Sequence, residues 1–569
     1  MSYLIIIILI FLLIIIMEYL SEIREFKLLR NCINNDPICD FFQLQSYLNN
    51  GLNFEKDTHD YFNKYVNKVS SDFIDGFLNN IIDKSKEIYP RLSINKFNNI
   101  NQTIHKIQEN VPLIINPILM NDKYKLIVKC DFIIKKDLFL KIFNQIKNIS
   151  FNSISKNDYL IINIVPEILT FKKGCREICN SYNVFYNKCS LYCFNSALRQ
   201  YVGRNNFYFM FGKDYKYNNS LLNKQEHIGL VIFDNIYREK IYYSLNWLNR
   251  LRENQLQLYP KPSCLELYPN MNNKQSCWET EKKKLAKKVK EITLIWRISY
   301  EDRNYLINMG ITTWDNPYLL NNLYELKDTN TRDIQERIIH MNKYENLIIE
   351  PRHISKDFKD ILKPSEIEFV LDIESVINLE TTESYFNNDV KKDSPNICII
   401  GLILISNNGY IFKDFTIDDL TIESEKRNII NWVSFISKYD NIKIYHWGHA
   451  EKTYLENIHK RFPDIKLPKM TLIDLLHYFR QEPIIIKDCF NFSLKTIGKN
   501  MYKHGLIKST WSETDNGLDA MIKFKELCLK KDKNIPLKRY KEIAEIIEYN
   551  KMDCVILMEI LQYLRTKYI

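Results

Sequence analysis

Two stretches near the end of the chain carry its sharpest hydrophobic patterns. Residues 367–377, IEFVLDIESVI, form an apolar, β-branched run that closes on acids, the pattern of a buried strand. Side chains two apart on a strand share a face, so Asp372 and Glu374 are expected to point the same way. Residues 542–564, EIAEIIEYNKMDCVILMEILQYL, instead repeat apolar positions at helical period. Tyr549 and Asp553 are four apart and therefore sit one above the other on a single helix face. At the other end of the chain, YLIIIILIFLLIIIM runs from Tyr3 to Met17 without a polar break. A full membrane crossing takes about 20 residues, so this shorter run predicts an N-terminal hydrophobic helix, within residues 1–20, acting as a membrane tether. No Lys or Arg precedes it, whereas Arg24, Lys27 and Arg30 follow, which predicts a membrane-anchored protein with its bulk facing the cytosol. It lacks the basic start and small-residue cleavage site of a secretory signal. If translation begins at Met17 the run is not made, and the protein is then expected to be cytoplasmic or nuclear.

Length and composition change this picture modestly. With 569 residues, 46% of them hydrophobic, the chain has room for two or three domains. No Gly/Ser or Pro-rich linker marks the joints; the proline-bearing, mixed-charge stretch 348–366 is the best candidate for one. The net charge of +10, from 79 basic and 69 acidic residues, permits a nucleic-acid partner without requiring one. Its densest basic stretch is EKKKLAKKVKE, residues 281–291, which could follow a phosphate backbone or simply be a solvated helix face. Thirteen scattered cysteines do not resemble a disulfide framework and point to a reducing compartment. Within them, Cys175, Cys179, Cys189 and Cys193 have a spacing compatible with tetrahedral Zn²⁺, and equally with one face of a buried helix.

The acids suggest the chemistry. Hard divalent cations such as Mg²⁺ or Mn²⁺ take oxygen ligands, and two ions roughly 3.5–4 Å apart can clamp the attacking and leaving oxygens of a phosphodiester. Carboxylates supply the compensating charge. Besides Asp372, Glu374 and Asp553, Glu451 in YHWGHAEKTYL is a candidate ligand. His449 beside it is placed as a neighbouring hydrogen-bonding group, and Asp474 in TLIDLLHY as a supporting or helix-capping acid.

The ordered motifs resemble a known family. D-x-E on a first strand, an acid after a later strand and Y-x-x-x-D on a last helix are similar to the DEDD exonucleases of the ribonuclease H-like superfamily. The glutamate in the second motif, the segment LIDLLHYF and the helix FSLKTIGK resemble the YprB-type branch more specifically. The resemblance covers residues 363–569. It implies an α/β fold, a mixed sheet flanked by helices, and a metal-dependent 3′-to-5′ exonuclease acting on DNA or RNA. Asp372, Glu374, Glu451 and Asp553 would bind two ions and Tyr549 would orient the attacking water.

Residues 21–293 resemble a RecB-like, PD-(D/E)XK nuclease region of α+β type, with Glu55 in the opening helix and Asp131 in YKLIVKCDFIIKK. The third signature fails, because YLIINIVPEIL offers Asn163 and Val165 where the family has an acid and a lysine. Glu167, Lys172 and Lys173 are the only nearby substitutes. This region is therefore expected to be degenerate. Residues 294–350 resemble the helical module that links the two domains in such proteins, with a turn at Gly310 and with Arg297 and Arg303 as candidate nucleic-acid contacts. The competing expectation is a catalytically inactive, nucleic-acid-binding or membrane-tethered scaffold that keeps the nuclease fold.

Overall fold

A central strand packed on both faces organises each of two parts of the chain. The computed structural model describes residues 24–569 except 49–53, 58–60, 93, 95–97, 156–157, 203–206, 219, 254–255, 275, 345–346, 376–396, 407–408, 513–516 and 531–534. The apolar run Tyr3 to Met17 lies outside the described residues. Among the described residues no helix is long and apolar enough to cross a membrane.

The chain divides into two units. Among the described residues, the first falls within 24–55 and 66–268 and the second within 56–65, 269–375 and 397–569. In the first, strand Tyr159–Thr170 is the middle of a six-stranded mixed sheet. It runs antiparallel to Phe132–Lys135 and parallel to Tyr208–Tyr217. Its alternation serves two cores: Leu160, Ile162 and Ile164 pack on one side, and Tyr159, Ile161 and Val165 on the other. A parallel neighbour demands a crossover, supplied here by helix Tyr182–Val202.

The second unit holds a five-stranded mixed sheet. Its strands are β1 (Glu368–Ser375), β2 (Ile397–Ser406), β3 (Gly409–Thr416), β4 (Ile442–His446) and β5 (Met470–Asp474), in spatial order β3, β2, β1, β4, β5. β1 to β3 are antiparallel neighbours, whereas β4 and β5 run parallel to β1. Helices α1 (Ile422–Ile436), α2 (Ala450–Arg461), α3 (Leu475–Gln481), α4 (Leu494–Lys503), α5 (Gly517–Lys530) and α6 (Lys541–Tyr568) flank the sheet, and α6 lies over β1 and β2.

Three helices, Tyr300–Asn308, Leu319–Leu326 and Thr329–Lys343, belong to this same unit. Gly310 turns the chain after the first of them with φ +82°, a conformation that costs glycine little. Arg303 is fully buried against Glu291 at 3.4 Å, so it is a core ion pair and not a nucleic-acid contact. The basic run near 281–291 is likewise partly neutralised. Lys282 is buried and paired with Glu279, and Lys284 pairs with Glu281.

Candidate metal centre

Three elements deliver the acids. Along β1, Phe369, Leu371 and Ile373 pack into the core on one face and Val370 into the core on the other. Asp372 and Glu374 continue the Val370 series and open on the face that α6 covers. The register with β2 shifts between Glu374 and Ser375, a bulge of the kind that re-aims side chains beside active sites.

On α6 the buried positions Ile543, Ile546, Asn550, Asp553, Leu557, Ile560 and Leu564 recur at three- and four-residue spacing, forming the stripe that meets the sheet. Two members of that stripe are polar. One oxygen each of Asp372, Glu374 and Asp553 lie within 4.8 Å of one another, the single such grouping of three or more His, Cys, Asp or Glu side chains among the described residues.

Glu451 arrives from the first turn of α2. It is 6% exposed, His446 Nδ1 is 3.6 Å from its Oε2, and that oxygen has no hydrogen-bond partner. His446 Nδ1 also lies 2.8 Å from the Gly448 carbonyl, a bond that holds the imidazole beneath the loop. The structure thus joins three of the predicted ligands directly and sets the fourth beside them.

Supporting donors fix the carboxylates. Asn550 Nδ2 donates to Asp372 Oδ2 at 2.6 Å, and Trp511 Nε1 donates to Asp553 Oδ1 at 2.8 Å. Donors of this kind orient metal ligands. Asn550 fits because residue 401, opposite Asp372 on β2, is glycine; a Cβ there would collide with its amide. Asn550 is not among the residues that the motifs single out, although the same helical spacing that marks Asp553 puts it in an otherwise apolar stripe. Trp511 carries no comparable signal in the sequence. Lys495, inside the FSLKTIGK segment, is a further neighbour that the motif does not mark; its Nζ lies 5.2 Å from the centre of the Tyr549 ring. Tyr549 itself is one helical turn before Asp553.

Asp474 caps α3, accepting from Leu476 N at 3.0 Å and His477 N at 3.3 Å, and it also accepts from Gly448 N at 2.8 Å. It therefore ties the loop before Glu451 to the end of β5. His449 is exposed at the start of α2.

Crowding negative charge in a buried place has an electrostatic cost. Burial first, then the charges of Asp553, Glu374 and Glu451, hold the Asp372 carboxyl well above its ordinary value, against the Asn550 hydrogen bond. Burial and the charges of Asp553 and Glu451 push Glu374 up to about 8, with Lys495 opposing. Closely packed acids and an orphaned Glu451 oxygen are the donor set that divalent cations satisfy, so Asp372, Glu374, Glu451 and Asp553 fit hard metal ions.

The cysteines behave differently. Cys189 and Cys193 are buried in the apolar core on helix Tyr182–Val202, while Cys175 and Cys179 are half-buried on the preceding segment. Burial pushes the Cys189 thiol up to about 12. All four are free thiols, and the structure does not gather them into a ligand group. The helix-face alternative accounts for Cys189 and Cys193, four apart on one buried face.

In the first unit Asp131 Oδ2 accepts from Ile164 N at 2.6 Å, and its own N–H donates to Asn163 Oδ1. Lys172 is taken up by Glu177, Glu167 is half-buried at the register shift of the central strand, and Glu55 is exposed.

Among curated proteins, none matches this chain. A family model of the RNase H superfamily, RNase_H_2, matches residues 378–565, beginning just after the strand that carries Asp372 and Glu374. The mixed sheet with flanking helices is consistent with that match, so the C-terminal part of the chain is ribonuclease H-like, and this similarity points to a nuclease that uses divalent metal and acts on nucleic acid.

Proposed function

We propose that the second unit is a 3′-to-5′ exonuclease that hydrolyses phosphodiester bonds of DNA or RNA with two Mg²⁺ or Mn²⁺ ions. The observation that carries this reading is the convergence of Asp372, Glu374 and Asp553, from a strand and a helix 178 positions apart in the Asp372 to Asn550 pairing, within 4.8 Å. Asp372, Glu374 and Asp553 would hold one ion and Asp372 with Glu451 the other; when bound, such ions supply Lewis acidity toward the phosphodiester oxygens. Asn550 and Trp511 keep the carboxylates in place before substrate arrives. Tyr549 presents a phenol one turn from Asp553, where it can orient a water for attack. The polarity rests on the resemblance to DEDD exonucleases.

The first unit, by the same resemblance, is a degenerate RecB-like nuclease region. Asparagine at 163 beside Asp131, and a Lys172 already engaged, support a structural or nucleic-acid-binding role there.

Asp372→Asn preserves the shape and the acceptor for Asn550 while removing a charge. It is expected to lower Mg²⁺- or Mn²⁺-dependent degradation of single-stranded DNA or RNA more than about 100-fold, with the metal-free melting temperature not lowered. Undiminished cleavage by that variant overturns the assignment.

A further inference from the structure

Two arginines of the second unit share one indole. Arg297 Cζ lies 4.6 Å and Arg480 Cζ 5.6 Å from the centre of the Trp296 ring. Both arginines are exposed residues on a half-buried indole, and the charge of Arg297 acts unfavourably on that of Arg480. Neither forms an ion pair among the described residues; Arg297 reaches only Thr331 Oγ1, at 3.4 Å. Asp328 acts on Arg297 and Asp474 on Arg480 only beyond ion-pair distance, and both carboxylates accept hydrogen bonds elsewhere. Asp328 accepts from the Thr331 backbone and hydroxyl, and Asp474 from three backbone N–H groups.

The support is rigid. Trp296 N donates to the Phe490 carbonyl at 2.9 Å, its own carbonyl accepts from buried Gln335, and its ring meets Phe492 edge-on at 5.5 Å. Arg297 is held at φ +60°, a left-handed conformation that costs a non-glycine residue about 1–2 kcal/mol. The location is equally informative. Phe492 lies three residues before Lys495, and its carbonyl accepts from the indole of Trp447, the neighbour of His446. One ring contact and one hydrogen bond therefore lead from the indole under the arginines to Trp447, next to the His446 that approaches Glu451.

We propose that Arg297 and Arg480, held on Trp296, form a phosphate clamp for the backbone of a single-stranded nucleic acid whose end lies at the acid cluster. Stacking a guanidinium on an indole leaves its N–H edge free, and that planar edge matches a phosphate. A phosphate between the two also removes their mutual repulsion. The clamp rests on the nuclease reading for its substrate, but its test needs no turnover.

The full chain is titrated with a labelled single-stranded oligodeoxythymidylate in chelator, with binding read by anisotropy across a series of salt concentrations. Arg297→Gln and Arg480→Gln are each expected to weaken binding several-fold and to make the slope of log K against log salt shallower by about 0.7, the contribution of one phosphate contact on a single strand. Arg480→Lys should keep the slope and lose part of the affinity, because charge remains and the planar fork does not. Lys284→Gln, on the helix Glu279–Lys288, should leave both unchanged. Wild-type affinity retained in the double Arg→Gln variant, a slope change in Lys284→Gln equal to that of the arginines, or no wild-type binding in chelator each overturns the clamp. A wild type that binds with the expected slopes yet never cleaves with Mg²⁺ or Mn²⁺ leaves the clamp standing and overturns the nuclease reading instead.

Discussion

Asn550 and Gly401 show how one residue's chemistry depends on another's lack of a side chain. Asn550 supplies the N–H that steadies Asp372, and it can approach β2 only where no Cβ stands. Gly401→Ala is expected to destabilise the second unit by about 1–3 kcal/mol through overpacking. Pairing it with Asn550→Ala should recover much of that loss, because the colliding group is gone, so the two changes will be far from additive in a denaturation cycle. Additive losses would show that the glycine matters for some other reason. Asn550→Ala alone should reduce activity about 10- to 100-fold while leaving the ligands themselves intact. Asp131 tests burial in the first unit. Its carboxyl is pushed up from 3.8 to about 6 by desolvation, against the Ile164 hydrogen bond. The folded state therefore binds this proton more tightly than the unfolded chain, and the charged form is the disfavoured one. Its effect on stability is absent below pH 3.8 and grows more unfavourable as pH rises through 6, reaching at most about 3 kcal/mol. Asp131→Asn keeps the acceptor and drops the charge, so the variant should unfold later than wild type at pH 7.5 and equally at pH 4. A constant difference across that range would contradict the titration.

At the level of elements, a buried ion pair fastens the last helix to the first strand of the sheet. Glu368, at the start of β1, is 1% exposed and meets Arg565 of α6 at 2.7 Å, with the Tyr445 hydroxyl and Lys443 alongside. Arg565→Met takes the closer cation from a buried carboxylate, leaving it the more distant Lys443 and the Tyr445 hydroxyl, and is expected to cost about 3 kcal/mol, whereas the double replacement Glu368→Met with Arg565→Met should cost less. Denaturant midpoints that fall equally for the two proteins would rule the pair out as the fastening. The same pair shows where the sequence stops being informative. The β-branched run 367–377 announces a strand, and the period of two places Asp372 and Glu374 together, because those are properties of neighbouring residues. Glu368 in that run reads as an ordinary strand-end acid; its partner is 197 positions away, and no local pattern records it. Helical period likewise aligns Tyr549 with Asp553 and would have aligned Asn550 had the polar members of the buried stripe been counted. Trp511, which reaches Asp553 from a loop, could be seen only once the chain was folded. Arg303 and Lys282 looked like surface cations by composition and turn out to be buried and paired, since the sequence shows a charge but not its solvent.

On the scale of the whole molecule, each unit has its own sheet and apolar cores, and the four carboxylates assigned to Mg²⁺ or Mn²⁺ all lie in the second. Metal should therefore act on one unfolding transition and spare the other. Without metal, Glu374 has its carboxyl raised from 4.5 to about 8 and Asp372 is raised as well, so the folded second unit holds protons that the unfolded chain releases. Stability from that unit consequently falls as pH climbs from 4.5 through about 8, the opposite of a salt-bridged carboxylate. A divalent ion competes with those protons, favours the charged acids and binds only where the fold assembles them. Calorimetry of the full chain is expected to show an upper and a lower transition, one of which moves up by a free energy of about 2.7 kcal/mol when Mn²⁺ is present at 100 times its dissociation constant. At a fixed Mn²⁺ concentration the shift should be larger at pH 8.5 than at pH 6.5, and chelator should reverse it. In Asp372→Asn the same transition should become less sensitive to pH without metal and nearly insensitive to Mn²⁺, because one substitution removes both a strained proton site and a ligand. If Mn²⁺ moved both transitions alike, or moved that of Asp372→Asn as far as wild type, the ions would be binding elsewhere on the chain.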